Sequence, residues 1–211
     1  MAKSPQVSST TKSGEPILHF RDAAAFDLWL ASAPGQAVWV KFAKQGCRVE
    51  TLSKPEAIDC ALCHGWIDSQ IARLDDEFYL TRFTPRKPKG RWSQINRQRV
   101  ETLIAEGRVK PRGLAEVEAA KQDGRWQAAY PSASAAATPE DFIAALSANP
   151  TAQQSFAELS GDNRYALLYR LHHASAPVKR REMIARFVGM LERGETFHEP
   201  RANPRARPSG K

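Results

Sequence analysis

A low-complexity segment at residues 131–137, with the sequence PSASAAA, divides the chain into two parts with different hydrophobic patterns. Before it, stretches with the two-residue period of a β-strand alternate with stretches of helical period, whereas after it every apolar stretch has helical spacing. The pattern predicts an α+β fold, in which a small antiparallel sheet with packed helices is followed by a C-terminal helical bundle.

The same patterns predict the domain organisation. We expect a disordered leader at residues 1–18, an α+β domain at 19–130, a linker at 131–137, a helical bundle at 138–194 and a disordered basic tail at 195–211. The leader is rich in Ser, Thr, Lys and Pro, which supply little apolar surface to bury. Since no apolar run reaches the ~18 residues of a membrane span, and no secretory signal is visible, we expect a cytoplasmic protein without membrane insertion.

Local signals place several elements of the first part. Asp22, Ser53 and Ser93 each precede a stretch of helical period and are predicted to cap a helix, and Glu56 completes a capping box with Ser53. Two strands joined at residues 75–76 are predicted to form a hairpin directly before a basic segment.

The positive charge of the chain is concentrated. Its formal net charge is +8, from 31 Lys and Arg against 23 Asp and Glu. Residues 78–100 contain seven basic residues and no acidic one, so the remainder has 24 basic against 23 acidic residues. This distribution favours a local anion site over a generally basic surface, although a solvated loop is the ordinary alternative.

The segment from 82 to 96 is the candidate ligand site. Its cations precede the amino end of a predicted helix, where free N–H groups and the helix dipole favour an anion, and Trp92 could stack on a ring. Trp66 and Asp68 share one face of the preceding strand, so Asp68 could orient Arg86 or Arg91, or else form a structural ion pair. The predicted ligand-binding residues are Arg82, Arg86, Lys87, Arg91, Trp92, Ser93, Asn96, Trp66 and Asp68.

The cysteine and histidine motifs do not favour a haem or metal site. Cys60–Ala–Leu–Cys63–His64 matches a c-type haem attachment string, but such attachment requires an exported chain. A zinc site from these residues and Cys47 lacks the spacing of a zinc finger, so we expect buried free cysteines, no metal and no cofactor. The neighbouring His172 and His173 point about 100° apart on a helix and cannot easily share a metal.

Several motifs together resemble a known family. They are ALCHGWID at 61–68, RFTPRKP at 82–88, WSQIN at 92–96, and Arg180–Arg181 before Ile184. Over residues 20–192 the chain resembles the YdeI/OmpD-associated family of bacterial proteins, often labelled bacteriocin-protection proteins. The resemblance implies protection against a toxin or stress and carries no reaction or catalytic residues. His64 departs from the family pattern, in which an aromatic residue is more typical.

We therefore expect a binding protein of this family that holds an anionic small molecule or phosphate group at the basic segment. One alternative is an enzyme acting on a phosphorylated or carboxylated small molecule, with Asp68 as acid or base. Another is non-specific nucleic-acid binding through the basic segment and the tail. The helical bundle could also bind a protein partner.

Overall fold

The computed structural model of the chain describes residues 6–33 and 35–199. It divides into two compact units, one ending at Ala129 and the other beginning at Tyr130. Each unit has its own apolar core.

The first unit is built on a five-stranded sheet of order β1-β2-β3-β5-β4. Its strands are β1 (Gln6–Lys12), β2 (Glu15–His19), β3 (Val38–Ala43), β4 (Trp66–Arg73) and β5 (Phe78–Pro85). The predicted α+β class is confirmed, but the sheet is not wholly antiparallel because β2 and β3 run parallel. Helix α1 (Ala23–Ser32) lies between these two strands in the chain and provides the crossover that a parallel pair requires.

Three further helices complete this unit: α2 (Lys54–Cys63), α3 (Gln94–Ala105) and α4 (Pro111–Gln122). The predicted caps are confirmed. The Asp22 carboxylate accepts a hydrogen bond from the N–H of Ala25 at 2.9 Å, and the Ser93 hydroxyl accepts one from the N–H of Asn96 at 3.1 Å. The predicted capping box opens α2.

Helix α4 approaches the end of α2 unusually closely. The N–H of Lys110 donates to the carbonyl oxygen of Cys63 at 2.9 Å. A Cβ added at Gly113 would lie 2.3 Å from that same oxygen, so only glycine allows the approach. This contact brings the first turn of α4 next to His64, which caps the carboxyl end of α2.

The second unit consists of helices α5 (Glu140–Ser147), α6 (Pro150–Glu158), α7 (Gly161–His173) and α8 (Pro177–Glu192). The predicted C-terminal helical part is thus confirmed. Their apolar faces meet in a core of Phe142, Leu146, Ala152, Leu167, Leu168, Leu171, Ile184, Phe187, Met190 and Leu191.

The ordered structure begins earlier and ends later than the sequence pattern indicated. Residues 15–18, expected within a disordered leader, belong to β2, where Ile17 and Leu18 are buried. At the other end, expected to be a disordered tail, Phe197 packs against the helical core. The N–H of His198 donates to the side-chain oxygen of Asn163 at 2.8 Å. Residues 1–5 and 200–211 lie outside the described residues.

The segment expected to be a linker, residues 131–137, forms part of the second unit. The hydroxyl of Tyr165 donates to the carbonyl oxygen of Pro131 at 2.9 Å, and Ala136 packs against the helical core. Serine and alanine are small enough to let the backbone lie close to these helices, so a low-complexity sequence still has defined contacts here.

Candidate functional site

The predicted site centres on the basic loop, residues 86–91, which connects β5 to α3. The loop makes a tight turn in which the N–H of Gly90 donates to the carbonyl oxygen of Lys87 at 2.8 Å. Lys89 adopts the left-handed backbone region, with φ of +62°. A Cβ at Gly90 would lie 2.9 Å from the Lys87 oxygen, so this position requires glycine.

Arg86, the first residue of the loop, is buried and contacts Trp92. Its guanidinium carbon is 3.4 Å from the centroid of the Trp92 ring, and its Nη1 donates to the carbonyl oxygen of Arg91 at 3.3 Å. Both side chains are buried, with Trp92 2% and Arg86 7% exposed. This burial makes Trp92 a packing residue, whereas the sequence reasoning had expected a surface on which a ligand ring could stack.

A second arginine, which the sequence reasoning did not single out, also binds the loop. Nη1 of Arg125 donates to the carbonyl oxygen of Gly90 at 2.8 Å, while its Nε donates to the Asp123 carboxylate at 2.7 Å. The pKa of Asp123 is lowered, chiefly by this hydrogen bond from Arg125. Arg125 follows a turn glycine, Gly124, but no local pattern indicates a partner 35 residues away.

Several cations of the segment are engaged away from the loop. Arg82, expected to bind the ligand, pairs with Glu15 of β2; its Nε donates to Oε2 at 2.7 Å, and its Nη2 donates to Oε1. The hydrogen bond from Arg82 lowers the pKa of Glu15, against the opposing effect of burial. Arg99 forms an ion pair with Asp59 at 2.6 Å, and Arg97 donates to the carbonyl oxygen of Trp126 at 3.2 Å. Of these three arginines only Arg82 was predicted to bind the ligand, and its carboxylate partner lies on β2 rather than at the loop.

The remaining cations of the loop lie at its surface. Lys87, Lys89 and Arg91 are all exposed. These three side chains form the basic surface of the loop. Ser93 and Asn96 follow the loop in the chain, at the start of α3.

The other predicted residues occupy structural positions. Trp66 is completely buried and meets Trp29 edge-on, with ring centroids 5.7 Å apart. Asp68 is half-buried, and its Oδ2 lies 3.7 Å from Nζ of Lys54. The ion pair of Asp68 joins β4 to α2, whereas the sequence reasoning had expected an ion pair that fixes the basic loop.

The cysteines are free thiols, with Cys60 and Cys63 buried as expected and Cys47 half-buried. Burial raises the pKa of Cys60 to about 12 and also raises the pKa of Cys63. Within the described residues, no group of three or more His, Cys, Asp or Glu side chains is placed to hold a metal ion.

His64 contributes to a feature that the sequence reasoning missed. Its Nε2 lies 2.8 Å from Oδ1 of Asp27 on α1. The pair borders a cleft of about 590 Å³, here named the α1–α4 cleft, which is lined by Ala24, Asp27, Leu28, Leu30, Ala31, Ala33, His64, Lys110, Pro111 and Arg112. No local pattern links His64 to Asp27, which lies 37 residues earlier in the chain.

The second unit has a smaller cavity of about 220 Å³ among its tyrosines, lined in part by Tyr130, Tyr165 and Tyr169. Arg180 also lines it, and its guanidinium pairs with Asp141, with Nη2 donating to Oδ1 at 2.9 Å. This pairing lowers the pKa of Asp141 and raises that of Arg180. Arg180 therefore adds no unpaired charge to the surface of the second unit.

Comparison with known families gives a different match for each unit of this α+β protein. Residues 18–116 match a family described as a domain of unknown function (DUF8412). Residues 135–194 match the family described as Bacteriocin-protection, YdeI or OmpD-Associated. The chain therefore contains a YdeI/OmpD-associated domain, formed by its helical second unit. The motifs at 61–68, 82–88 and 92–96 lie in the other matched range, so this domain match is narrower than the resemblance over 20–192.

No curated protein and no solved structure matches the chain. Among the described residues, none of the helices combines the length and the apolar character that crossing a lipid bilayer requires.

Proposed function

We propose that the protein is a binding protein for an anionic ligand, either an anionic small molecule or a phosphate group, which it holds at the basic loop. The observation that supports this most directly is that the loop presents Lys87, Lys89 and Arg91 to solvent while Arg86 and Arg125 bind its carbonyl oxygens. An ordered loop loses less conformational entropy when it binds a ligand. Arginine can also grip a phosphate or carboxylate through two parallel hydrogen bonds.

The loop itself, residues 86–91, contains four cations and no acidic residue. Lys89 lies close enough to Asp123 to contribute to the lowering of its pKa, but the larger contribution comes from Arg125. Since Asp123 is hydrogen-bonded to Arg125, its negative charge offsets the charge of Arg125 more than that of Lys89. Ser93 and Asn96 at the adjoining start of α3 would complete the polar surroundings of a bound anion.

At the biological level we propose a role in protection against bacteriocins or a related stress, on the ground of the family description that the second unit matches. In this proposal the protein acts in the cytoplasm, the basic loop holds the ligand and the helical unit contacts a protein partner. The enzyme alternative has less support, since Asp68 is engaged by Lys54.

The test compares two triple variants of the full chain. The loop variant combines Lys87→Ala, Lys89→Ala and Arg91→Ala, and the matched control combines Lys179→Ala, Arg181→Ala and Arg186→Ala, which removes three exposed cations from α8. With inorganic pyrophosphate as the probe, isothermal titration should show Kd raised about tenfold or more by the loop variant and unchanged by the control. Equal effects of the two variants, or no binding to the wild-type protein, would contradict the proposal.

A labelled DNA duplex distinguishes the nucleic-acid alternative. Binding to a duplex through several phosphates would weaken steeply with salt, with a slope of log K against log salt of about −0.9 per phosphate neutralised. We expect no measurable duplex binding at physiological salt. Tight duplex binding that the loop variant abolishes would assign the same surface to nucleic acid instead.

A further inference from the structure

We propose that the α1–α4 cleft is a second binding site, whose ligand is a small amphipathic carboxylate. The carboxylate group would contact Lys110 and Arg112, and the apolar part would lie on the wall formed by α1. The cleft volume of about 590 Å³ lies within the ~300–1,000 Å³ typical of ligand pockets.

The apolar wall supports the amphipathic character of the ligand. Leu28 is 60% exposed, although most leucines of the first unit are buried. It lines the cleft together with the small side chains Ala24 and Ala31, which leave room beside it. Burial of a leucine surface by a ligand is favourable at about 25 cal/mol per Å², so this wall would contribute to affinity for a hydrocarbon chain.

The net charge of the residues that line the cleft favours a ligand with one negative charge. Lys110 and Arg112 line it and are exposed, and no ion pair or side-chain hydrogen bond of either is found among the described residues. Asp27 is the acidic residue of the lining, so the two cations and one carboxylate leave a formal excess of one positive charge. A carboxylate matches this excess more closely than a doubly charged phosphate does.

The buried histidine explains why the cations remain available. His64 is 6% exposed, and burial of an imidazole is costly unless its nitrogens are hydrogen-bonded. Asp27 provides the bond at 2.8 Å and is therefore held at the α2 side of the cleft. Within the described chain, no ion pair joins Asp27 to Lys110 or Arg112. The tight contact at Gly113 holds the first turn of α4, and with it both cations, beside His64.

The experiment titrates the full chain with three probes: hexanoate, acetate and hexylammonium. The readouts are isothermal titration and the NMR signal of the His64 Cε1–H. Hexanoate should bind saturably and shift this signal, and acetate should bind more than tenfold more weakly because it lacks the buried methylenes. Hexylammonium, with the same chain and the opposite charge, should not bind.

Exposed residues serve as the variants, so that a loss of folding does not obscure the result. Lys110→Gln with Arg112→Gln should raise Kd for hexanoate about five- to tenfold, and Leu28→Ser should raise it several-fold. Lys179→Gln with Arg181→Gln is the matched control and should leave Kd unchanged. The loop variant, with Lys87→Ala, Lys89→Ala and Arg91→Ala, should bind hexanoate as the wild-type protein does. The test of the cleft is therefore independent of the test of the proposed function. Equal binding of hexanoate and hexylammonium, or unchanged Kd in the cleft variants, would overturn it.

Discussion

The guanidinium of Arg86 lies 3.4 Å from the centroid of the Trp92 ring, and both side chains are buried. A cation over the face of an indole is attracted by the negative charge of that face, and this attraction strengthens away from water. The contact joins the residue that follows β5 to the residue that precedes the cap of α3. Arg86 and Trp92 therefore support the basic loop from its buried side, while Lys87, Lys89 and Arg91 are exposed.

Arg86→Lys should lower the free energy of unfolding by about 1–2 kcal/mol, because an ammonium group cannot stack on Trp92 with the planar contact of a guanidinium. Urea unfolding followed by tryptophan fluorescence measures the change. Lys87→Ala is the neighbouring control and should change stability by less than about 0.5 kcal/mol, since Lys87 is exposed. An Arg86→Lys protein as stable as the wild type would show that the stack contributes little.

The Arg82–Glu15 pair should make stability depend on pH. Because Arg82 lowers the pKa of Glu15 in the folded chain, the pair stabilises the protein at neutral pH, and this contribution declines as pH falls below the ordinary glutamate value of 4.5. Glu15→Gln should cost about 0.5–1 kcal/mol at pH 7. Unfolding measured from pH 7 to pH 3 should show this difference disappear. Glu101→Gln, at an exposed position of α3, should show no such difference. A pH-independent difference for Glu15→Gln would contradict the prediction.

Gly113→Ala should destabilise the first unit by about 2 kcal/mol or more. The added methyl group would meet the carbonyl oxygen of Cys63 at 2.3 Å and Cγ1 of Val109 at 2.8 Å, so α4 would have to move away from α2. Thermal unfolding measures the effect. Gly161→Ala, at the start of α7, has nothing within 4 Å of the added atom and should be neutral or stabilising by about 0.4–1 kcal/mol. Similar results for the two substitutions would disprove the close approach.

The three cysteines should differ in reactivity towards a disulfide reagent at pH 8. Burial raises the pKa of Cys60 to about 12 and raises that of Cys63, so little of the reactive thiolate forms at either residue. We expect one thiol, that of Cys47, to react in the native protein, and all three to react in denaturant. Cys47→Ser should remove the native reaction. Two or three reactive thiols in the native protein would show that α2 is less protected than its burial indicates.

Interactions over a few residues were predictable from the sequence. Asp22, Ser53 and Ser93 cap their helices as predicted because each cap bonds to an N–H three residues away. Partners distant along the chain were not predictable in this way. Glu15 and Arg82 are 67 residues apart, and Asp27 and His64 are 37 apart. Because the residues before 19 were expected to be disordered, no partner was predicted for Glu15.

The sequence by itself determined the α+β character of the chain, its helical C-terminal part, its helix starts and the concentration of cations between residues 78 and 100. These properties depend on composition and on hydrogen bonds within one turn of the backbone. The tertiary structure decided which of those cations are buried, which partners remote in the chain they bind, and which of them are exposed. It also brought Asp27, His64, Lys110 and Arg112 to one cleft, because long-range packing, including the contact at Gly113, sets the distances between segments that are remote in the chain.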